Sequence, residues 1–399
     1  MDAQPTGIGE RLRNVRKRRG LTQRQLADMA GLSLSLIKKL EQDSYGHVRL
    51  ETAHKLAKAL GVTTTTLLTE PDAPVPEPHS GQRWEPVRLA LEGAHQAEPQ
   101  ETPTMDGVRR SFRDVLPLLL ASRFDAMGAI LPGLLRDADT LVALSADGAQ
   151  RDARTLRSQV RQVTGSLMLH NWEFETAERA FALAMADASD PLTAMSVADE
   201  RCWGLIRQGK LPETMSTALG LADQNEPKMT AGRDEMAAYG RLMIRASMAA
   251  VRDNRPDEAT QMLRLGRMAA VGAGPDFVLP FSPWHVFGPV TLSVSAAESA
   301  IIREQPEGVL SIARRLSRAR PAMPLGRFAP SFRLDVAYAH TLLRHDDQAV
   351  AVLRRLRDDR PQWFPRQRYA ADIIAKIISH RRTLIAEVRE LADAVRLPL

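Results

Sequence analysis

The sequence predicts an all-α protein in two parts, a small basic N-terminal domain and a larger C-terminal domain of stacked helix pairs. Three observations support this. Within residues 1–70, capping residues and glycines separate five short segments of helical apolar periodicity. Residues 71–103 are rich in proline, which favours an extended linker. From residue 104 to residue 399, one helical pattern follows another, and we predict no strand there.

Composition limits the class of protein. The chain has 399 residues, of which 44% are apolar and 26% charged, as expected for two or three globular domains. No stretch approaches the roughly 18 unbroken apolar residues of a membrane span, and the N-terminus does not resemble a secretory signal. We therefore expect a cytoplasmic protein without membrane contact. The single Cys202 is expected to be a buried apolar side chain, with a redox sensor as the alternative.

The stretch "LTQRQLADMAGLSLSLIKKLEQ" (21–42) predicts two short helices joined by a tight turn. Thr22 and Gln25 have the spacing of a capping box at the start of the first helix. Gly31 stands where a helix C-terminus needs a left-handed residue. Ser33 then caps the second helix. Two short helices around so brief a turn predict a steep angle between them.

The faces of these two helices differ in character. Leu26 and Met29 form the predicted inner face of the first helix, and Ile37 and Leu40 that of the second. The opposite face of the second helix is polar and basic: Ser35, Lys38, Lys39 and Gln42. This is the geometry of a helix-turn-helix, whose second helix enters the major groove of DNA.

The flanking segments complete a five-helix domain. A helix ending before Gly20 precedes the pair, residues 50–60 form a fourth helix stopped by Gly61, and Thr63 caps a short fifth helix. From Ile8 to Leu68 the chain resembles the lambda-repressor-like, or XRE-family, DNA-binding domain. The resemblance is carried by "LTQRQLADMAGLS", "IKKLEQ" and "LETAHKLAKALGV" and covers about a sixth of the chain. It departs from many relatives at Leu34-Ser35, where they carry Arg, Gln or Asn.

The resemblance implies a set of DNA contacts. Gln23 and Arg24 are expected to touch phosphates, residues 44–49 to cross the phosphate strand, and Leu34 to pack on a thymine methyl group. The predicted DNA-binding residues are Gln23, Arg24, Ser33, Leu34, Ser35, Lys38, Lys39 and Arg49. Residues 1–70 hold twelve Lys and Arg against seven Asp and Glu, so most of the net charge of +6 lies there. The alternative for each lysine is a solvated surface charge.

The C-terminal part contains a weak internal repeat. Small or apolar residues recur at p, p+4 and p+7, with intervals of 38, 44, 50 and 40 residues between sets. The sets are Ala177/Phe181/Ala184, Met215/Leu219/Ala222, Ala259/Leu263/Gly266, Val309/Ala313/Leu316 and Ala349/Leu353/Leu356. Small residues twelve positions earlier (Gly165, Ala297, Ala337) allow the helices of a pair to approach closely. The pattern resembles the tetratricopeptide repeat (TPR) and predicts a TPR-like α-solenoid over 104–399; an irregular helical bundle is the alternative.

Two segments interrupt this pattern. "RWEPVRLALEG" (83–93) predicts a short helix inside the linker that docks on the next domain. "GAGPDFVLPFSPWHVFGP" (272–289) concentrates proline and aromatic residues. A ligand pocket is one interpretation, and a long loop that packs its rings on the solenoid edge is the other. The candidate ligand-binding residues are Phe277, Phe281, Trp284, His285 and Phe287.

These patterns predict a sequence-specific bacterial transcriptional regulator. It is expected to bind double-stranded, palindromic operator DNA as a homodimer whose interface lies in residues 104–399. The solenoid is expected to sense an effector, which is a small molecule, a peptide or a protein. The alternative is a TPR-type interaction scaffold with weak or vestigial DNA binding. The sequence contains no recognisable catalytic, metal-binding or cofactor-binding motif, so we expect no enzyme activity and no cofactor.

Overall fold

A computed structural model describes residues 7–42, 48–68, 83–93, 102–319, 328–380 and 386–397. Most of the proline-rich linker lies outside the described residues, and so do residues 44–47 of the expected phosphate-crossing segment.

The N-terminal domain contains the five predicted helices: α1 (Ile8–Arg18), α2 (Gln23–Ala30), α3 (Leu34–Glu41), α4 (Leu50–Leu60) and α5 (Thr64–Leu67). The capping box is confirmed, since Gln25 N donates to Thr22 Oγ1 and Thr22 N donates to Gln25 Oε1. Gly31 has φ +62°, the left-handed conformation that this turn needs. Ser33 Oγ accepts from the backbone N–H of Leu36 and caps α3. Local capping therefore sets the turn between α2 and α3.

A single apolar core holds the five helices together. Leu12, Leu26, Ile37 and Leu56 are among its fully buried members. The prediction for Met29 was wrong, because its side chain is 58% exposed. Met29 lies three residues after Leu26 on the helix. The side chains of α2 that face the core with Leu26 are instead those of Ala27 and Ala30.

The described part of the linker contains α6 (Glu85–Leu91). Trp84, Val87 and Leu91 are buried against the C-terminal domain. Trp84 lies directly over Gly128, where a Cβ atom would come within 2.6 Å of the indole. This short helix therefore docks by its aromatic end.

The C-terminal domain is built from helices that pack as consecutive antiparallel pairs. Their bounds are α7 (Met105–Leu120), α8 (Phe124–Leu144), α9 (Asp147–His170), α10 (Phe174–Ala186), α11 (Pro191–Arg207), α12 (Leu211–Gln224), α13 (Arg233–Arg252), α14 (Pro256–Ala273), α15 (Pro289–Ile302), α16 (Pro306–Ala319), α17 (Phe328–Leu342), α18 (Asp346–Asp359), α19 (Arg368–His380) and α20 (Ala386–Ala394). Each predicted repeat set lies on the second helix of a pair, and the predicted small residues lie on the first. At Gly165 an added Cβ would meet the ring of Phe181 at 2.6 Å, which explains the close approach of α9 and α10.

The prediction of no strand after residue 104 was wrong. A two-stranded antiparallel hairpin, β1 (Phe277–Leu279) and β2 (Ser282–Phe287), is inserted between α14 and α15. Phe277 pairs with Phe287, and the register shifts after Val278. The hairpin accounts for the longest interval between repeat sets. Its strands are short, and prolines lie in β2 and in the turn, so period-two alternation was not visible in the sequence.

The two ends of the helical array meet. Trp172, just after α9, donates its indole N–H to the carbonyl of Arg366 at 3.4 Å and stacks with Arg368 at 4.2 Å. Arg360 also donates to the carbonyl of Leu120, at the end of α7. One continuous apolar cluster includes side chains from both ends. The superhelix is therefore closed into a ring, with the first helices of the pairs on the inside.

The hairpin and the N-terminal domain contact different ends of this ring. Phe281 O accepts from Gln159 in the middle of α9, and Val286 O accepts from Arg241 in the first half of α13. The N-terminal domain instead contacts residues that follow the C-terminal ends of α11, α13 and α15. No helix among the described residues is long and apolar enough to cross a membrane.

Candidate nucleic-acid interface and ligand cavity

The outer face of α3 is solvent-exposed in this arrangement. Ser33, Ser35, Lys38 and Lys39 are exposed, and Leu34 is half-buried at the start of the helix. Arg24, near the start of α2, is also exposed. The C-terminal domain does not cover this face, so its polar and cationic groups are accessible to a duplex.

Gln23 has an internal partner. Its side-chain amide donates to Glu41 Oε2 at 2.9 Å, and Arg16 donates to both oxygens of the same carboxylate at 2.5 and 2.8 Å. Burial alone would raise the pKa of Glu41, but the hydrogen bonds from Arg16 and Gln23 lower it below its usual value. This network ties the start of α2 to the end of α3 and fixes the angle of the α3 face.

Arg49 points toward the C-terminal domain. Its guanidinium is 2.5 Å from Asp372 Oδ1 on α19. The expected contact of Arg49 with a phosphate therefore requires this exposed ion pair to open.

The N-terminal domain docks through α4 and α5 onto the turn that follows α13. Thr65 donates from its backbone N–H and its hydroxyl to Asp253 Oδ1, at 2.8 and 2.6 Å. Thr64 Oγ1 and His54 Nδ1 both donate to the carbonyl of Arg252, at 2.6 and 2.7 Å. Asn254 returns a hydrogen bond to Val62 O at 3.1 Å. These side chains form the docking contact.

The histidine in the docking contact is held neutral. Burial lowers the pKa of His54, and a proton on Nδ1 satisfies the carbonyl of Arg252. Two ion pairs, Arg49–Asp372 and Lys58–Glu304, lie at the exposed margin of the same contact.

A cavity of about 610 Å³ lies between the docked domain and the inside of the ring. Side chains three and four residues apart on single helices line it, as Glu200, Trp203 and Arg207 do on α11. The other inner helices contribute His170, Arg245, Arg252, Glu298, Ile301, Leu334, Asp335, Tyr338, Tyr369, Asp372 and Lys376. Helix α4 covers the opening with Leu50, His54, Lys55 and Lys58. A helix of the N-terminal domain is thus one wall of the cavity.

Of the five predicted ligand-binding residues, only His285 lines this cavity. Trp284 and Phe287 are buried in the apolar cores and contribute packing. Phe277 is half-buried, with the Arg233 guanidinium 3.6 Å above its ring, and Phe281 is half-buried at the hairpin turn. The alternative interpretation, a segment that packs its rings on the solenoid, describes four of the five residues.

A buried charge network lies beneath His285. Asp199 accepts from Arg241 Nε at 3.0 Å and from Arg245 Nε at 2.7 Å. His285 Nε2 lies 2.5 Å from Glu200 Oε1, and its Nδ1 lies 2.8 Å from Ser282 Oγ. Burial, reinforced by Arg241, lowers the pKa of His285 to about 4, so the imidazole is neutral at pH 7. Two carboxylates then balance two guanidinium groups.

The same residues have the donor set of a metal site. The ligand atoms of Asp199, Glu200 and His285 lie within 4.8 Å of one another. A divalent cation does not fit well, because Arg241 and Arg245 already neutralise the cluster and a further positive charge would be buried without compensation. Ser282, His285 and Glu200 also form a hydrogen-bonded chain, but Ser282 is fully buried and the small pocket that it lines has no room for a substrate.

The cavity-lining residues were missed at the sequence level. They lie on the first helices of the pairs, whereas the repeat template followed the second helices. Polar or aromatic residues at i, i+3 and i+7 of an alanine-rich helix, as at Glu200, Trp203 and Arg207, are the signal that would have found them. Cys202, between two of these positions, is buried, and burial raises the pKa of its thiol to about 12.

Comparison with known proteins identifies the N-terminal part. Residues 9–73 match the family model described as a helix-turn-helix domain. This segment is an XRE-type helix-turn-helix domain. The capping box, the left-handed Gly31 and the exposed α3 face described above are therefore parts of that helix-turn-helix domain.

Similar curated proteins match the same segment. The HTH-type transcriptional regulator PuuR of Escherichia coli (strain K12) is 36% identical over 66 residues, which are 16% of this chain and 35% of PuuR. The immunity repressor protein of Bacillus phage phi105 is 40% identical over 63 residues, or 16% of this chain and 43% of the repressor. This chain thus spans less than half the length of these relatives, and the match lies within the helix-turn-helix domain.

Two solved structures align over most of the chain with low similarity. Bacillus thuringiensis PlcR, in complex with the peptide PapR7 and DNA, has 10% identity and a TM-score of 0.36, covering 87% of this chain and 99% of PlcR. ComR from S. thermophilus, in complex with DNA and its signalling peptide ComS, has 10% identity and a TM-score of 0.31, covering 84% and 99%. The architecture of residues 104–397 therefore rests on its own helix packing.

Proposed function

We propose that this chain is a sequence-specific DNA-binding transcriptional regulator whose C-terminal domain dimerises and holds an effector in the cavity. The observation that carries the proposal is the double role of the helix-turn-helix domain. Its α3 presents an exposed face with Ser35, Lys38 and Lys39, while its α4 forms a wall of the cavity. A regulator needs both elements, a reader of DNA and a mechanical link from the reader to a ligand site.

DNA recognition divides between two sets of side chains. Ser35, Lys38 and Lys39 are positioned to meet base edges, and Leu34 to meet a thymine methyl group. Phosphate contacts, which give affinity and register, come from Arg24 and Ser33. Gln23 adds a further phosphate contact once its hydrogen bond to Glu41 is broken. The excess of positive charge in residues 1–70 supports phosphate binding by this domain.

The test begins with a footprint of the purified protein on its own promoter. Lys39→Ala should then weaken binding to the protected site by about 1–3 kcal/mol and binding to random DNA much less. Arg179→Ala, which removes an exposed cation on α10, is the matched control and should leave both affinities unchanged. Equal losses on both DNAs for Lys39→Ala would make Lys39 a phosphate contact and would contradict the proposed orientation of α3.

The effector acts through the docking contact. An effector shifts the position of the helix-turn-helix domain only if its affinity differs between two arrangements of α4. Because α4 is a wall of the cavity, any movement of the docked domain changes the contacts available to a bound molecule. Small molecules and peptides both suit such a cavity, and occupancy is expected to change operator affinity.

The homodimer is proposed from the small number of base contacts that a single domain can make. One helix-turn-helix makes few base contacts, whereas two of them on half-sites about one helical turn apart engage both halves of a palindrome. The interface is expected in residues 104–399, where α14 exposes Met268 and Val271 one turn apart. Sedimentation should show a dimer at micromolar concentration, and Met268→Asp should weaken it. A monomer that still binds a palindrome tightly would contradict this proposal.

A TPR-type scaffold remains the second candidate, because a closed helical ring with a large lined cavity is also a binding surface for a partner. Salt dependence distinguishes the two functions. An operator-binding protein loses affinity steeply as salt rises while it keeps its preference for the protected site. A scaffold would show weak binding without such a preference.

A further inference from the structure

Most cations that line the cavity already have an anionic partner. Arg245 binds Asp199, Arg252 lies 2.5 Å from Glu298, and Arg49 binds Asp372. Arg207, the last residue of α11, differs from them. Within the described part of the chain, no ion pair joins its guanidinium to a carboxylate. Among the described residues, its Nη1 donates a hydrogen bond to the carbonyl of Leu169.

The Arg207 guanidinium is held in place by aromatic rings. It lies 4.3 Å from the ring centroid of Trp172, 5.0 Å from that of Trp203 and 5.7 Å from that of Phe174. Arg368, whose guanidinium lies 4.2 Å from the centroid of the same Trp172 ring, adds a second positive charge nearby. Burial, together with Arg368, lowers the pKa of Arg207 to about 10, which leaves it charged at pH 7. The protein thus fixes a cation at the cavity surface with no paired carboxylate among the described residues.

The acidic groups of the cavity do not oppose an anion. Glu298 and Asp372 are already paired with arginines and Glu304 with Lys58, Glu200 lies 2.5 Å from His285, and Glu51 has Lys55 four residues later on α4. Asp335 is buried, and burial beside Glu298 raises its pKa well above the usual value, which disfavours its charged form. Lys55 and Lys376 also line the cavity. The local balance of charge therefore favours a negatively charged guest.

The remaining surface of the cavity is apolar or aromatic. Trp203, Ile301, Leu334, Tyr338 and Trp363 contribute to it. A volume of about 610 Å³ is within the range of sites for small organic molecules. We propose that the cavity binds a small organic anion, an acid group carried on an aromatic or aliphatic body, and that Arg207 pairs with the acid group.

This proposal deepens the effector site and rests on it, but not on DNA binding, so the two can fail separately. The probe is 8-anilinonaphthalene-1-sulfonate, titrated by fluorescence into the full-length protein without DNA. Its neutral counterpart is N-phenyl-1-naphthylamine, which has the same rings and lacks the sulfonate. Comparing the two isolates the contribution of the acid group.

Arg207→Met should weaken binding of the sulfonate probe at least tenfold and change binding of the neutral probe less than twofold. Arg207→Lys keeps the charge and should retain most of the affinity for the sulfonate probe, which separates loss of charge from loss of fold. Arg179→Met, at an exposed arginine on α10, should change neither affinity. Circular dichroism of each variant verifies that the helices are intact.

Three results would overturn the proposal. Equal losses for both probes in Arg207→Met would show that Arg207 acts through packing. An unchanged affinity for the sulfonate probe would place the probe elsewhere. Binding of several sulfonate molecules per chain, insensitive to Arg207, would mean that the probe coats exposed apolar surface only.

Discussion

The cavity is bounded at its two ends by very different structures. At one end the hairpin is fixed by buried rings and by the Asp199 network, in which every charged side chain is almost inaccessible to water. At the other end the helix-turn-helix domain is attached by a few hydrogen bonds around Asp253 and by ion pairs open to solvent. We call these the floor and the roof.

The difference indicates which end can move. Detaching the hairpin of the floor from the helices of the ring would expose large apolar side chains and leave buried charges unpaired, each at a cost of several kcal/mol. Detaching the helix-turn-helix domain of the roof from the ring replaces hydrogen bonds and ion pairs with similar bonds to water, and each replacement costs about 1 kcal/mol or less. The helix-turn-helix domain is therefore the part that can detach, and the following variants test that contrast.

The largest effect is expected at the floor. Trp284 is 2% exposed and lies edge-on to Phe112, with ring centroids 6.1 Å apart. Trp284→Ala should lower the free energy of unfolding by about 3–5 kcal/mol, measured by urea denaturation, because it removes a large core side chain. Phe281→Ala, at a half-buried position of the same hairpin, is the control with a smaller loss. A loss below about 1 kcal/mol for Trp284→Ala would mean that the floor is also separable.

The next effect is a pH dependence from the floor. The pKa of His285 falls to about 4 in the folded protein, below that of an unfolded histidine. The folded state then binds fewer protons than the unfolded state between about pH 6.5 and 4, so stability is full above this window and falls as the pH drops through it. The contribution is at most about 3 kcal/mol.

His285→Gln tests this sign. The variant cannot be protonated, so its free energy of unfolding should change less than that of the original protein between pH 6.5 and 4. Parallel curves for the two proteins would show that His285 does not set the acid sensitivity. The lowered pKa of His54 at the roof acts in the same direction, and His54→Gln measures that share.

A smaller effect is expected at the roof. Asp253→Ala removes the acceptor for two hydrogen bonds from Thr65 and should weaken docking by about 1–3 kcal/mol. Amide hydrogen exchange should quicken in α5, where the N–H of Thr65 loses its partner, while the helices of the ring keep their protection. Asp257→Ala, an exposed carboxylate four residues later, should change neither. Equal acceleration throughout the ring would mean that roof and ring open as one unit.

The smallest effect is expected at the margin of the roof. Lys58 and Glu304 form an exposed pair at 2.8 Å, and Glu304's pKa is lowered mainly by its hydrogen bond with Lys58. Lys58→Ala should change stability by about 0.5 kcal/mol or less, because water and salt screen such pairs. A double-mutant cycle with Glu304→Ala measures the coupling directly. A coupling free energy above about 1.5 kcal/mol would place this pair among the main contacts that hold the docked domain on the ring.

The sequence predicted the local parts of the structure well. The turn between α2 and α3 depends on Thr22, Gln25 and Gly31, which act within a few residues of one another. The close packing at Gly165 was predictable for the same reason, since one small residue must face one large ring. Such features need no knowledge of distant parts of the chain.

The parts that the sequence did not predict depend on distant partners. His285 was selected for its aromatic neighbours, but its environment comes from Asp199 and Arg241 on two other helices. Arg207 was missed because the repeat template followed the second helices of the pairs, and because Trp172 and Phe174, which contact it, lie in the preceding pair. Met29 failed because helical spacing alone does not fix how wide the buried face is.

The meeting of the two ends of the array at Trp172 and Arg366 also limits how the family of such chains can diverge. An open solenoid can gain or lose a repeat at little cost, because each repeat contacts only its neighbours. Here an added or deleted helix pair would separate Arg360 from Leu120 and Arg368 from Trp172. The helices at both ends of the array would then lose their packing partners. The number of helix pairs is therefore fixed by closure, and variation among relatives should appear as substitutions and loop insertions, not as changes in repeat number.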